Sequence, residues 1–109
     1  MIIKRAMNLL QALFFFSLIL SLLSCAGIPP KNEYVLTLTA LENAKRAQAD
    51  SLEPKLSYQS KMLYEKALNF YKERNYDKAK EYFIKSRFLA EKAELRARIK
   101  KYRKGEIIL

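Results

Sequence analysis

The chain predicts an all-α fold, a short antiparallel bundle of about three helices behind an N-terminal signal helix. Three observations lead there. Its 109 residues include only two Gly and three Pro, poor stock for the turns of a β-fold, while Ala, Leu, Lys, Glu and Arg are the residues helices favour. Small and apolar residues recur at alternating spacings of four and three. The breaks between those stretches fall where Pro, Asn or Asp sit.

The first element is an address. Lys4 and Arg5 give a positive start, and Leu9 to Leu23 follows as an apolar run interrupted by Gln11, Ser17 and Ser21. As a helix this run spans about 22 Å, against roughly 30 Å of bilayer core. That is the length of a secretion signal rather than of a comfortable transmembrane helix. Leu22, Leu23, Ser24 and Cys25 then resemble the lipobox at which bacterial lipoproteins are processed. Leu22 stands three residues before the cysteine and small Ser24 just before it; Leu23 is bulkier than that pattern usually has.

The resemblance implies cleavage before Cys25, a thioether from its sulfur to diacylglycerol, and a fatty acyl group on the new amino terminus. Two or three such chains anchor stably where one does not, at about 0.8 kcal/mol per buried CH₂. Ala26, rather than Asp, follows the cysteine, which resembles outer-membrane sorting and implies an anchor facing the periplasm. The other reading is an uncleaved signal anchor with an incidental cysteine, and it shares the topology. Residues 1–24 are thus expected to be the signal, 25–33 a lipidated tether containing Gly27, Pro29 and Pro30, 34–104 the helical domain and 105–109 a tail.

Within the domain the first stretch, Tyr34 to Ala49, sets Leu38 and Leu41 beside a small-residue row of Ala40, Ala44 and Ala47. Asp50 to Pro54 breaks the pattern and offers caps for the next helix. The second stretch, about Pro54 to Arg74, carries Leu56, Leu63, Ala67 and Phe70 on one face, flanked by Tyr64 and Tyr71. Asn75-Tyr76-Asp77 reads as a tight turn with Asn75 as a cap. The third, Tyr76 to about Arg103, has Ala79, Phe83, Ser86, Ala90, Ala93 and Ala97 at spacings of 4, 3, 4, 3 and 4. A second row, Phe88, Leu95, Ile99 and Tyr102, takes over on a neighbouring face toward the end, which suggests two different contacts, one of them outside this chain. Leu63, Ala67, Phe70, Tyr76, Ala79, Phe83, Ser86, Ala90 and Ala93 are the expected helix–helix seam. Glu42–Arg46, Glu81–Lys85 and Glu94–Arg98 are i,i+4 pairs in the favourable order, so these carboxylates read as solvated helix charges.

Residues 60–90 resemble one tetratricopeptide-type helix–turn–helix unit. Leu63, Ala67 and Phe70 fall at the large, small and aromatic positions of its first helix, and Tyr76, Ala79, Phe83 and Ser86 match its second. Arg74 stands where Gly is common, and Glu91 where a closing Pro is usual. The longer span 34–104 resembles an uncharacterised family of small Ala-rich bacterial lipoproteins, a domain of unknown function. Ala44, Ala47, Pro54, Ala67, Tyr76, Ala79, Ala90 and Ala93 carry that likeness, which implies fold and location but no activity.

Catalytic chemistry is hard to assemble from these residues. There is no His, and one Cys precludes an intramolecular disulfide or a multi-thiolate metal site. Two Gly make no phosphate-cradling loop, and no Ser has a partner base. The expectation is a non-enzymatic chain with no cofactor beyond its lipid, no small-molecule substrate and, being exported, no nucleic acid.

The net charge is +10, or +8 once Lys4 and Arg5 are removed, so an anionic neighbour is plausible. Lys92 and the run Arg96, Arg98, Lys100, Lys101, Arg103 and Lys104 face only Glu94. Those last six are the candidate contacts for an anionic surface, although cations at a helix end also suit its dipole. The leading expectation is a lipid-anchored interaction module of the cell envelope that binds an envelope protein or itself. The alternatives are a structural protein gripping anionic lipid, glycolipid or cell wall through the basic helix, and an accessory subunit of a transport or secretion complex.

Overall fold

One long helix organises the domain, and two others lie along it. A computed structural model describes residues 1–24 and 27–105. Its elements are helices: α1 (Ile2–Ser24), α2 (Lys31–Arg46), α3 (Ala49–Leu52), α4 (Pro54–Lys72) and α5 (Tyr76–Arg103). The all-α expectation holds, with five helices rather than about three once α1 and the single turn of α3 are included. Among the described residues α1 touches no other helix, and its apolar stretch Ile2–Ser21 is entirely exposed.

α5 is the centre because its buried row repeats every three and four residues over its whole length. Ala79, Phe83, Ser86, Ala90, Ala93 and Ala97 are all buried. The registers follow from cross-helix bonds. Along α2, Glu33 meets Lys80 at 3.7 Å, the Thr37 hydroxyl lies 2.9 Å from the Phe83 carbonyl, and Ala44 and Ala47 cluster with Ala93 and Ala97. α2 therefore runs parallel to α5. Along α4 the order reverses: Glu53 meets Lys100 at 2.9 Å, the Ser86 hydroxyl donates to the Ser60 carbonyl at 2.6 Å, and Ala67 joins Ala79 and Phe83. The arrangement is up, down, up.

Among the described residues ten apolar ones form the buried core, and nine are Ala. Nine methyls at ~0.8 kcal/mol each amount to roughly 7 kcal/mol of transfer energy, so close backbone approach and dispersion matter more here than bulk. Phe83 is the exception. It is fully buried, with Tyr34 edge-on at 5.6 Å and Tyr64 and Tyr71 at 6.0 and 6.5 Å. Ser57, Ser60 and Thr37 are buried as well, and each hydroxyl bonds to backbone or side chain, as burial of polar groups requires.

Several boundaries differ from those the sequence predicts. α2 begins at Lys31 rather than Tyr34, because the Pro30 carbonyl already accepts from Tyr34 N–H at 3.1 Å; Lys31, Asn32 and Glu33 are helix, not tether. The first stretch does not run to Ala49. It ends at Arg46, and Gln48 turns the chain with φ +61°, a conformation Gln does not advertise. Asp50 then ties the corner to α4, accepting from Ser57 Oγ and from Lys61 Nζ at 2.7 Å.

α4 stops at Lys72 rather than Arg74. Arg74 takes φ +60°, donating to Tyr71 O while Asn75 N–H donates to Phe70 O at 2.9 Å. This is the paired closure of a left-handed helix C-terminus, usually built on Gly, and the turn is Glu73–Asn75 rather than Asn75–Asp77. Asn75 precedes α5 but makes no side-chain cap bond. At the far end α5 stops at Arg103, where the sequence places its end, and Gly105 follows with φ +74°.

Candidate functional site

The buried face of α5 is consumed by α2 and α4, so function must be sought on what remains exposed. At 3.6 residues per turn, Ile84, Phe88, Leu95, Ile99 and Tyr102 fall within an arc of roughly 60°, opposite the alanine seam. All are exposed, Phe88 to 64% and Leu95 to 61%. The row is thus an apolar stripe about 27 Å long on the surface of a basic domain. Where it borders α4 it deepens into an open apolar groove of about 420 Å³ lined by Leu63, Ile84, Phe88, Leu89 and Lys85. A second hollow adjoins it, walled by Met62, Leu63 and Leu89 with Gln59 and Lys66.

Next to the stripe, within a further arc of roughly 40°, stand Lys85, Lys92, Arg96 and Arg103, all exposed. Lys85 is held by Glu81 at 2.9 Å, which keeps its ammonium charged to higher pH than usual. Among the described residues Lys92, Arg96 and Arg103 pair with no carboxylate. On the opposite flank, by contrast, Arg87 meets Glu91 at 2.8 Å and Arg98 meets Glu94 at 3.0 Å. The charge is therefore lopsided, cationic along one border and neutralised along the other.

This geometry sorts the basic run. Arg96, Arg103 and Lys104 are exposed and available to an anionic surface. Arg98 is exposed but paired with Glu94. Lys100 is exposed but already engaged: it donates to Leu52 O at 2.7 Å and pairs with Glu53, which latches α5 to the corner before α4. Lys101 overturns its expectation altogether. It is only 8% exposed, because it continues the buried row four residues beyond Ala97, so its place on the helix outweighs its charge.

Of the expected seam, Ala67, Ala79, Phe83, Ser86, Ala90 and Ala93 are buried, while Leu63, Phe70 and Tyr76 are half-buried at its edges. Phe70 packs on Tyr82 at 5.2 Å, and Leu63 belongs to the outer groove rather than to the core. The face of α4 that meets its neighbours is Ser57, Ser60, Tyr64, Ala67 and Tyr71. Its spacing of 3, 4, 3 and 4 was available in the sequence, but two serines among tyrosines do not announce a core. Burial, and then a hydrogen bond with Tyr34, pushes the Tyr64 hydroxyl up to about 12. Asp50 is held below the usual carboxylate range by its bonds from Lys61 and Ser57.

Leu22, Leu23 and Ser24 close α1, and Cys25 lies outside the described residues. No protein-family model matches the chain, and neither a curated protein nor a solved structure is similar to it.

Proposed function

We propose that this chain is a small bacterial lipoprotein: α1 exports it, cleavage before Cys25 removes α1, and acyl chains on Cys25 hold a non-enzymatic helical binding module in the cell envelope. The observation that carries the reading is the complete separation of α1 from the packed helices. Removing residues 1–24 takes nothing from the core, which begins at Pro30, five residues after the cysteine. The apolar helix with two cations at its start, the small residue at 24 and the cysteine at 25 stand in the register that lipoprotein processing needs. The likeness to small Ala-rich lipoproteins is part of the same proposal, supported by Ala44, Ala47, Ala90 and Ala93 all lying in the interhelical seams. Ala26 favours an outer-membrane anchor facing the periplasm.

The module's role is binding, because its chemistry is mechanical. The buried hydroxyls of Thr37 and Ser86 pin one helix to another, those of Ser57 and Ser60 bond to Asp50 and to the Ser57 carbonyl, and among the described residues seven carboxylates are engaged by Lys or Arg. What it offers to a partner is the outer stripe of α5. The test is expression in a bacterium fed an alkynyl fatty acid, with mass spectrometry of the purified protein. Wild type should carry label and begin at an acylated Cys25, while Cys25→Ala should accumulate as an unlabelled precursor. An unmodified Cys25 in an intact wild-type chain would remove the lipoprotein reading.

A further inference from the structure

We infer that the outer face of α5 lies flat on a bilayer containing anionic phospholipid, so that the domain touches the membrane through its own surface as well as through its amino terminus. The inference rests on the anchored reading only for what brings the domain to a membrane. The face itself is built from side chains of α5 and does not include Cys25.

The stripe has the composition of an interfacial helix face. Ile84, Phe88, Leu95, Ile99 and Tyr102 supply apolar area, and such a face sinks about 5–10 Å into the boundary between headgroups and acyl chains. Tyr102 is the residue type that sits well at that level, with an apolar ring and a polar tip. The bordering Lys85, Lys92, Arg96 and Arg103 would then lie at headgroup height, where each cation near an anionic leaflet gains from its surface potential. Nothing in the fold obstructs the approach, because α2 and α4 occupy the opposite side of α5.

The tether is also compatible. Lys31 and Lys80 lie at the same end of the domain, joined through Glu33, so the stripe starts near the point where the tether arrives. Six residues from Cys25 to Lys31 reach at most about 20 Å when extended, enough to lay the domain down and too little to hold it far away.

A second copy of the chain fits this face poorly. Were two α5 stripes to pair antiparallel, the row Lys85, Lys92, Arg96 and Arg103 would confront itself. In parallel pairing it would meet the flank of Lys80, Arg87 and Arg98, whose countercharges are already engaged within their own chain. Charges beside a helical seam choose its partner, and these choose an anionic one.

The experiment uses residues 27–109, which hold every core residue and lack Cys25, so its outcome is independent of acylation. Vesicles of phosphatidylcholine with about a third phosphatidylglycerol are compared with pure phosphatidylcholine, at low and high salt, by flotation. We expect binding to the anionic vesicles. Replacing Lys85, Lys92, Arg96 and Arg103 together by Gln should weaken it more than about tenfold at low salt, with the difference shrinking at high salt. Phe88→Ser with Leu95→Ser should weaken it about tenfold or more at either salt. Circular dichroism should show unchanged helicity in both variants, since none of these side chains is in the core.

The chain has no Trp, so Phe88→Trp places a single reporter in the stripe. Its emission should shift to the blue on vesicle addition and be quenched by brominated lipid, whereas Glu65→Trp on the exposed side of α4 should do neither. No binding to anionic vesicles at low salt would overturn the inference. So would binding that survives both sets of substitutions. Emission from the Phe88→Trp variant already blue-shifted in a lipid-free dimer would overturn it too, by assigning the face to a second copy.

Discussion

Phe83→Ala is the perturbation that most directly tests how this domain is held together. Among the described residues Phe83 is the one large apolar side chain wholly buried, and three tyrosines from two helices pack around it. A buried Phe removes about 150–250 Å² from water, worth about 4–6 kcal/mol as an upper figure at ~25 cal/mol/Å². Truncation to Ala at such sites costs about 3–5 kcal/mol. A helical domain of this size holds about 3–5 kcal/mol in all, so residues 27–109 carrying Phe83→Ala should be largely unfolded at 25 °C. The control lies five residues along the same helix. Phe88 is 64% exposed, and Phe88→Ala, which changes helix propensity by the same amount, should move stability by no more than about 0.5 kcal/mol. Urea and thermal melts followed by far-ultraviolet circular dichroism read both; about 1 kcal/mol corresponds to a shift of roughly 4–8 °C for a domain this small. Equal losses for the two variants would refute the assignment of α5's inner and outer faces.

Two further outcomes follow from local geometry. Arg74 sits at φ +60° in a closure that Gly enters without steric cost, so Arg74→Gly should stabilise the domain by about 1 kcal/mol in the same urea melts; a destabilisation would mean that the Arg74 side chain contributes more than its backbone strain costs. The Tyr64 hydroxyl, raised to about 12 from an unfolded value of about 10, binds its proton more tightly in the folded state. Its contribution is therefore fully present below pH ~10 and lost as pH rises through about 12, and Tyr64→Phe should flatten that alkaline loss. Absorbance at the phenolate band should show one tyrosine titrating later than the rest in wild type and not in the variant.

Much of this architecture is legible in the sequence because helices are local. The row from Ala79 to Ala97 and the pairs Glu42–Arg46, Glu81–Lys85 and Glu94–Arg98 each depend on spacings of three or four along one helix, the break at Pro54 depends on proline's own backbone, and each appears in the structure. The turn residues were less readable. Gln48 and Arg74 both adopt left-handed backbone that neither residue type signals, so the helix ends shift by two or three residues. The serine and tyrosine face of α4 was obscured for a related reason: its hydroxyls can be buried because Ser57 finds the Asp50 carboxylate, Ser60 a carbonyl of its own helix and Tyr64 the Tyr34 hydroxyl.

Local sequence pattern accounts for the helices and the alanine face of α5; it set the row of Phe88, Leu95, Ile99 and Tyr102 on a neighbouring face, whereas the folded helix carries it opposite the alanines and exposed. Only the tertiary structure decided which face meets which. It laid α2 parallel to α5, brought Thr37 to the carbonyl of Phe83, turned Lys100 onto Leu52 and Glu53, and buried Lys101, expected as a contact for an anionic surface, in line with the alanine row. Periodicity specifies a direction around a helix axis, whereas a partner 46 or 48 residues away is selected by the packing of all three helices at once.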